Sequence, residues 1–232
     1  MQQLPLGVRL PDRAVFASFL PARNAQAVEH LRRVAEAKIS GVAWLCGLNG
    51  AGKTHLLQAV SAQAGTTLQT AYVPLRELQQ LGVGVLEGLR QIECLCLDDV
   101  DSVVGQLDWE RALFAVLQGV EESANRLVAT AQVPPALLQW ALPDLGSRFA
   151  ASAVFQIKML DDTEQQAALQ LRARLRGFDL PDETSRWLQR HYPRDMRKLY
   201  ELLDTLDEAA LVAQRRLTVP FIREVLGSPS DS

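Results

Sequence analysis

Residues 42–54 read VAWLCGLNGAGKT, a short apolar run followed at once by a glycine-rich turn. The turn and the two residues after it fit G-x-x-x-x-G-K-[ST], and the residues that follow read as a helix. A strand, this loop and a helix form a P-loop, whose backbone N–H groups surround phosphate oxygens at a helix N-terminus. An ordinary glycine-rich turn is the alternative, but a chance match is expected in only about one chain in a hundred of this length.

The loop supplies candidate binding residues for an ATP- or ADP-sized ligand. Lys53 is expected to reach the β- and γ-phosphates, and Thr54 to place its hydroxyl on Mg²⁺. His55 follows directly and is interpreted as a packing residue rather than a catalytic one. The candidate set in this segment is Gly47, Asn49, Gly50, Ala51, Gly52, Lys53, Thr54 and His55.

A second candidate segment is LCLDD, residues 95–99, an apolar strand that ends in two acids. In α/β proteins ligands bind at the carboxyl ends of the strands, so both carboxylates are expected at that edge. Asp98 is predicted to hold Mg²⁺, directly or through water. Asp99 is predicted to orient or deprotonate an attacking water. Two acids at a strand end can also be plain loop residues, but the P-loop upstream favours the site.

Strands and helices alternate on both sides of these motifs. Apolar strands are predicted over 42–46, 70–73, 94–97, 127–130 and 154–158, and helices over 25–37, from 53, over 75–81 and over 109–122. Continuous apolar strands imply an α/β fold with a parallel sheet covered on both faces. After residue 159 only helical spacing remains, as in the helix predicted over 162–176. The predicted organisation is a tail (1–22), a nucleotide-binding α/β domain (23–159), a small all-helical domain (160–228) and a frayed end (229–232).

Composition excludes several classes of protein. The 232 residues are 48% hydrophobic with a formal net charge of -3, which argues against a surface built to neutralise nucleic acid. Cys46, Cys94 and Cys96 have neither the even count of a disulfide framework nor zinc-site spacing, so they are interpreted as reduced core residues. No apolar run approaches the roughly 18 residues of a membrane helix, and no secretory pattern is present. We therefore expect a cytoplasmic protein without membrane association.

Longer runs carry a resemblance to a known family. GKTHLL (52–57), the acids at 98–99, VPP (133–135) and PDLGSRF (143–149) resemble the AAA+ core of the DnaA family of bacterial replication initiators. Residues 169–178 and 213–221 resemble the lid of the Hda regulators within that family. The resemblance implies an AAA+ P-loop domain followed by a helical lid domain.

The resemblance also implies roles for two arginines. Arg148, in the PDLGSRF run, matches the arginine finger, which enters a neighbouring subunit's nucleotide site and stabilises charge developing at the γ-phosphate. Arg197 matches the second sensor, a lid arginine that contacts the bound nucleotide. Without the surrounding runs, each would be read as a surface arginine. Gln132 lies near the first-sensor position and departs from the small polar or acidic residue usual there.

The N-terminus resembles the peptide with which Hda regulators bind the sliding clamp, the β subunit of DNA polymerase III. Such a peptide places a polar anchor and apolar side chains in a preformed pocket. Met1 occupies the position of the anchoring glutamine, so Gln2 or Gln3 would have to act as the polar anchor. The implied clamp-binding residues are Gln2, Gln3, Leu4, Pro5 and Leu6. The sequence ends soon after the lid, so neither a helix-turn-helix domain nor sequence-specific DNA binding is expected.

The function implied by the resemblance is regulation of replication initiation. With the clamp on DNA, the protein would use Arg148 to stimulate hydrolysis of DnaA-bound ATP and so prevent re-initiation. Its own nucleotide is expected to be ADP and to have a structural role. Its intrinsic ATPase activity would be weak or absent, and the protein could also form a homo-oligomer. The alternative is a self-sufficient AAA+ ATPase that remodels DNA or loads a helicase. A small-molecule P-loop kinase is disfavoured by the helical lid and Arg148.

Overall fold

A computed structural model of the chain describes residues 14–193 and 195–227. Within this part of the chain, the strands are β1 (Gly41–Cys46), β2 (Thr70–Pro74), β3 (Cys94–Asp98), β4 (Arg126–Ala131) and β5 (Ala153–Gln156). They form one parallel sheet in the order β2-β3-β4-β1-β5. The predicted α/β fold with a parallel sheet is confirmed. The proposed clamp peptide and the frayed end (229–232) lie outside the described residues.

Helices cover both faces of this sheet. They are α1 (Ala25–Ala35), α2 (Lys53–Ala64), α3 (Leu75–Leu78), α4 (Leu107–Glu122) and α5 (Pro143–Ala150). On one face, Trp44 of β1 is fully buried and its ring centroid lies 5.0 Å from that of Phe149 in α5. On the other face, Leu45 is buried with Leu31 of α1 and Leu56 of α2. The strands are therefore buried on both sides, which explains their continuous apolar composition.

Several element boundaries differ from the sequence prediction. Helix α1 ends two residues before 37, where Ala37 adopts a left-handed conformation with φ +58° that terminates a helix. The helix predicted over 75–81 consists of α3 and a separate 3₁₀ turn, Gln79–Leu81. Helix α5 was not predicted, although it begins with a proline at a position where its missing N–H costs nothing.

The predicted tail is in part a folded segment. Phe16 is buried against α1 and α2, and short 3₁₀ turns span Phe16–Ser18 and Ala22–Asn24. The Asn24 amide donates to the Lys158 carbonyl at 3.0 Å and accepts from the Lys158 N–H at 2.8 Å. The structure thus corrects the boundary placed at residue 22, because residues 14–22 pack on the α/β domain.

The helical domain contains α6 (Asp162–Leu175), α7 (Asp182–His191), α8 (Met196–Ala213) and α9 (Val219–Leu226). Its buried core includes Leu169, Leu188, Leu199, Leu203 and Phe221. A capping box starts α6: Asp161 accepts from the Glu164 N–H at 2.9 Å, and Glu164 accepts from the Asp161 N–H at 2.8 Å. None of the helices described is long and apolar enough to cross a bilayer.

Candidate nucleotide site

A cavity of about 590 Å³ lies between the carboxyl edge of the sheet and the helical domain. This volume is within the range of roughly 300–1,000 Å³ typical of small-ligand sites. It brings together the N-terminal segment, the P-loop, the end of β2, the two acids and α8. Its lining includes Ser18, Phe19, Asn49, Gly50, Ala51, Gly52, Lys53, Thr54, His55, Tyr72, Arg76, Asp98, Asp99, Arg197 and Tyr200.

The P-loop presents a buried ammonium group. Lys53 is the first residue of α2, and its Nζ donates to the carbonyls of Gly47 at 2.7 Å and Leu48 at 3.1 Å. Burial lowers the pKa of Lys53, and the nearby Asp99, Asp101 and Asp98 oppose that shift. Within residues 14–193 and 195–227, no carboxylate forms an ion pair with it. A buried cation in this setting fits an anionic ligand, because pairing offsets the cost of burying the charge.

Two glycines shape the loop. A Cβ on Gly47 would lie 2.5 Å from the Ile157 carbonyl oxygen, so no side chain fits there. Gly52 has φ +95°, and a Cβ there would lie 2.8 Å from the Phe19 ring. The N-terminal segment therefore packs directly against the P-loop. A larger residue at position 52 would push Phe19 away from the loop.

Asp98 is held by two hydroxyl groups. The Tyr72 hydroxyl donates to Asp98 Oδ2 at 2.8 Å, and the Thr130 hydroxyl donates to Asp98 Oδ1. Burial, together with the charge of Asp98, raises the pKa of Tyr72. Both donors are neutral, so they orient the carboxylate without forming an ion pair with it. Two neutral hydrogen bonds thus set the direction of a carboxylate that lines the cavity.

Asp99 is held differently. Its backbone is left-handed, with φ 55° and ψ 50°, and its N–H donates to Thr130 Oγ1 at 2.9 Å. Its carboxylate Oδ2 accepts from Arg76 Nε at 2.8 Å. The two neighbouring acids therefore have different partners: hydroxyls for Asp98 and a guanidinium for Asp99.

The residues present fit a magnesium ion that is bound together with phosphates. Thr54 and Asp98, the two residues expected to hold Mg²⁺, line the same cavity. No group of three His, Cys, Asp or Glu side chains in the described part of the chain is arranged to hold a metal. Mg²⁺ commonly takes one or two protein ligands and completes its shell with substrate phosphates and water. The ion would supply charge neutralisation at the phosphates when nucleotide is bound.

His55 connects the P-loop helix to the N-terminal segment. Its Nε2 lies 3.1 Å from the Val15 carbonyl oxygen and 3.2 Å from Ser18 Oγ. Its ring centroid lies 5.6 Å from that of Phe19. Burial is the main cause of its lowered pKa. His55 lines the cavity, yet its ring nitrogen contacts protein atoms.

The two arginines singled out in the sequence lie in different places. Arg197, in the first turn of α8, lines the cavity; its side chain is 88% exposed. Arg148, on α5, is not among the lining residues. Its guanidinium forms an ion pair with Glu121 and lies 4.9 Å from the centroid of the Phe114 ring. Gln132 is also outside the lining, and its N–H donates to Asp101 Oδ2 at 3.4 Å.

Sequence reasoning did not identify Tyr72, Arg76 or Thr130. Each contacts a predicted acid from another element: Tyr72 from β2, Arg76 from α3 and Thr130 from β4. Only the order of the strands could have pointed to these residues, because the ends of neighbouring parallel strands meet at one edge of the sheet. That order cannot be read from one strand alone.

The chain is similar to known proteins in both domains. A family model described as the Hda lid domain matches residues 162–226. Domain III of the Thermotoga maritima replication initiation protein DnaA is 19% identical with a TM-score of 0.79, covering 97% of this chain and 100% of that chain. AMPPCP-bound DnaA from Aquifex aeolicus is 20% identical with a TM-score of 0.70, covering 82% and 64%. The Thermotoga maritima RuvB Holliday junction branch migration motor is 14% identical with a TM-score of 0.60, covering 91% and 72%. These structural similarities identify the AAA+ fold.

Proposed function

We propose that this chain is a DnaA-related AAA+ protein that regulates replication initiation in the cytoplasm; the match of residues 162–226 to the Hda lid domain and the similarity of its fold to DnaA domain III support this proposal. It binds ADP or ATP with Mg²⁺ and the sliding clamp of DNA polymerase III. It then stimulates hydrolysis of the ATP bound to DnaA, which inactivates the initiator and prevents re-initiation. Its own nucleotide has a structural role.

The observation that carries this proposal is the position of Arg148 relative to the chain's own cavity. Arg148 is 38% exposed on α5 and is not among the cavity-lining residues, whereas Lys53 and Arg197 are. A guanidinium outside its own site can reach the γ-phosphate of a neighbouring molecule, where it stabilises developing charge. The placement therefore favours activation of a second protein's nucleotide.

The cavity favours a structural role for the bound nucleotide. Its lining combines residues of the α/β domain with Met196, Arg197 and Tyr200 of α8. A ligand in contact with both domains stabilises their arrangement, since it binds only the folded state. We propose that ADP suffices for this role, with the diphosphate on the P-loop and Arg197 beside it.

Recruitment through the clamp completes the proposal. The formal net charge of -3 does not favour a broad phosphate-binding surface. A clamp peptide at residues 2–6 would concentrate the protein at DNA without sequence-specific contacts. DnaA would then bind this protein while the clamp holds it at the replication site.

The test is hydrolysis of DnaA-bound ATP in the presence of clamp loaded on DNA. Radiolabelled ATP on DnaA is followed with and without this protein, and with clamp or DNA omitted in turn. We expect conversion to ADP to accelerate only when all components are present. If conversion does not change and the protein instead turns over ATP with DNA alone, the alternative of a self-sufficient DNA-remodelling or helicase-loading ATPase is supported.

A further inference from the structure

One arginine joins the N-terminal segment to the helical domain. The Arg23 guanidinium donates to both carboxylate oxygens of Glu164, from Nε at 3.2 Å and from Nη2 at 2.8 Å. Its Nη2 also donates to the Met159 carbonyl at 2.9 Å. We propose that Arg23 is a positioning residue that holds the helical domain over the nucleotide cavity and so slows the release of bound nucleotide. This inference rests on the proposed nucleotide site.

The acceptors lie where the two domains are connected. Residues 157–161 join strand β5 to helix α6. Met159 belongs to this connection, and Glu164 lies in the first turn of α6, where it also accepts from the Asp161 N–H. Arg23 therefore contacts both the interdomain connection and the start of the helical domain.

The donor is fixed to the α/β domain. Asn24, the next residue, is buried, and its side chain forms two hydrogen bonds with the Lys158 backbone, at 3.0 and 2.8 Å. Earlier in the same segment, Phe19 lies against Gly52 of the P-loop. Because Arg23 is held from both directions along the chain, an outward movement of the helical domain has to break its bonds to α6.

The cavity lies between the parts of the molecule that Arg23 joins. Ser18, Phe19 and Leu20 line it from the N-terminal segment, Leu160 lines it from the interdomain connection, and α8 lines it from the helical domain. A ligand enclosed in this way leaves when the domains separate, and such opening limits release in many proteins. An interaction made only in the closed arrangement lowers the population of the open one.

The geometry and exposure of the contact decide how it can be tested. A bidentate pair between arginine and a carboxylate is the strong form of this interaction, and Asp161 Oδ2 adds a second negative charge 3.7 Å from Nη2. The Arg23 and Glu164 side chains are 49% and 20% exposed, so their substitution is expected to leave the fold intact. A rival role is simple stabilisation of the first turn of α6. Release kinetics and the melting temperature distinguish the two roles.

The experiment measures release of the fluorescent analogue mant-ADP from the full chain by stopped flow, with excess ADP as the chase. The variants are Arg23→Gln, Glu164→Gln and their combination. Glutamine at position 164 keeps an oxygen for the Asp161 N–H, so the capping box is preserved. The matched controls are Arg33→Gln, at an exposed arginine of α1, and Glu183→Gln, at an exposed acid in the first turn of α7.

We expect each single variant to raise the release rate about two- to fivefold, the range for loss of a partly exposed ion pair. The association rate should stay close to that of wild type, because the residues that bind phosphate are unchanged. The double variant should release no faster than Arg23→Gln, since both substitutions remove the same contact. Both controls should match wild type.

Unchanged release rates in both single variants overturn the proposal, and a lowered melting temperature of the nucleotide-free protein would then assign the contact to the stability of α6. Release in the double variant that equals the product of the two single effects also overturns it, because the two side chains then act independently. Wild-type protein that binds no mant-ADP contradicts the nucleotide site and this inference with it. These measurements need neither DnaA nor clamp, so their outcome is separate from that of the regulatory function.

Discussion

The hydroxyl of Tyr72 donates a 2.8 Å hydrogen bond to Oδ2 of Asp98, the carboxylate proposed to hold Mg²⁺. Tyr72→Phe removes this donor and frees the carboxylate to rotate. A neutral hydrogen bond contributes about 0.5–1.5 kcal/mol, so nucleotide affinity with Mg²⁺ should fall roughly two- to tenfold. Calorimetry with Mg²⁺ and with EDTA is the measurement. Affinity without Mg²⁺ should not change, and Tyr192→Phe in the lid is the control. Equal losses in both conditions contradict the orienting role.

Lys53→Ala tests the phosphate site. The variant removes the buried ammonium that donates to the Gly47 and Leu48 carbonyls. Loss of a charge-assisted contact of about 1.5–3 kcal/mol should weaken ADP and ATP binding about ten- to a hundredfold. Calorimetry checks the affinity. Lys38→Ala is the control, since Lys38 pairs with Glu36 on the surface. Excess ADP should raise the melting temperature of wild type but not of Lys53→Ala.

The burial of His55 makes the stability of the folded protein depend on pH. Burial lowers its pKa in the folded protein below the unfolded value of about 6.5. The unfolded chain therefore binds the proton more tightly, and stability is lost as pH falls through and below that unfolded value. We expect the melting temperature to fall less between about pH 7.5 and 5.5 in His55→Gln than in wild type. His30, whose pKa is also lowered by burial, remains in both proteins. Identical slopes would assign the pH dependence to other groups.

Arg148→Ala separates action on a neighbour from action in the chain's own site. Its own ADP affinity should be unaltered, because Arg148 is not among the residues lining the cavity. Hydrolysis of DnaA-bound ATP should drop to the level without this protein, since arginine fingers contribute about 10³–10⁵ in rate. Arg148→Lys should restore little, because an ammonium lacks the planar fork. Arg33→Ala, an exposed arginine on α1, is the control. Lost ADP binding with normal DnaA hydrolysis would place Arg148 in its own site.

The N-terminal peptide is tested by replacing Leu4 and Leu6 with Ala. Apolar anchors in such peptides are worth roughly 1–3 kcal/mol each, so clamp binding should be lost. Surface plasmon resonance on immobilised clamp gives the affinity, and calorimetry with ADP serves as the folding control. Clamp binding that persists in this double variant would remove the basis for clamp-dependent regulation.

The sequence by itself determined the architecture and the core of the candidate site. The P-loop at 47–54 needs only contiguous residues, because the glycines and the helix that follows create its geometry locally. Continuous apolar strands were enough to predict a parallel sheet, since only strands buried on both faces have that composition. Asp98 and Asp99 could be assigned to the ligand edge for a similar reason, because they directly follow an apolar strand and ligands bind at the carboxyl ends of such strands.

Only the tertiary structure decided what those acids contact. Tyr72, Arg76 and Thr130 are distant from Asp98 and Asp99 in sequence and meet them through the order and register of β2, β3 and β4. The same holds for the N-terminal segment, whose Phe19 lies against Gly52. Local pattern specifies which residues form a strand, loop or helix. Which neighbour a side chain finds depends on long-range packing, and no single segment encodes that.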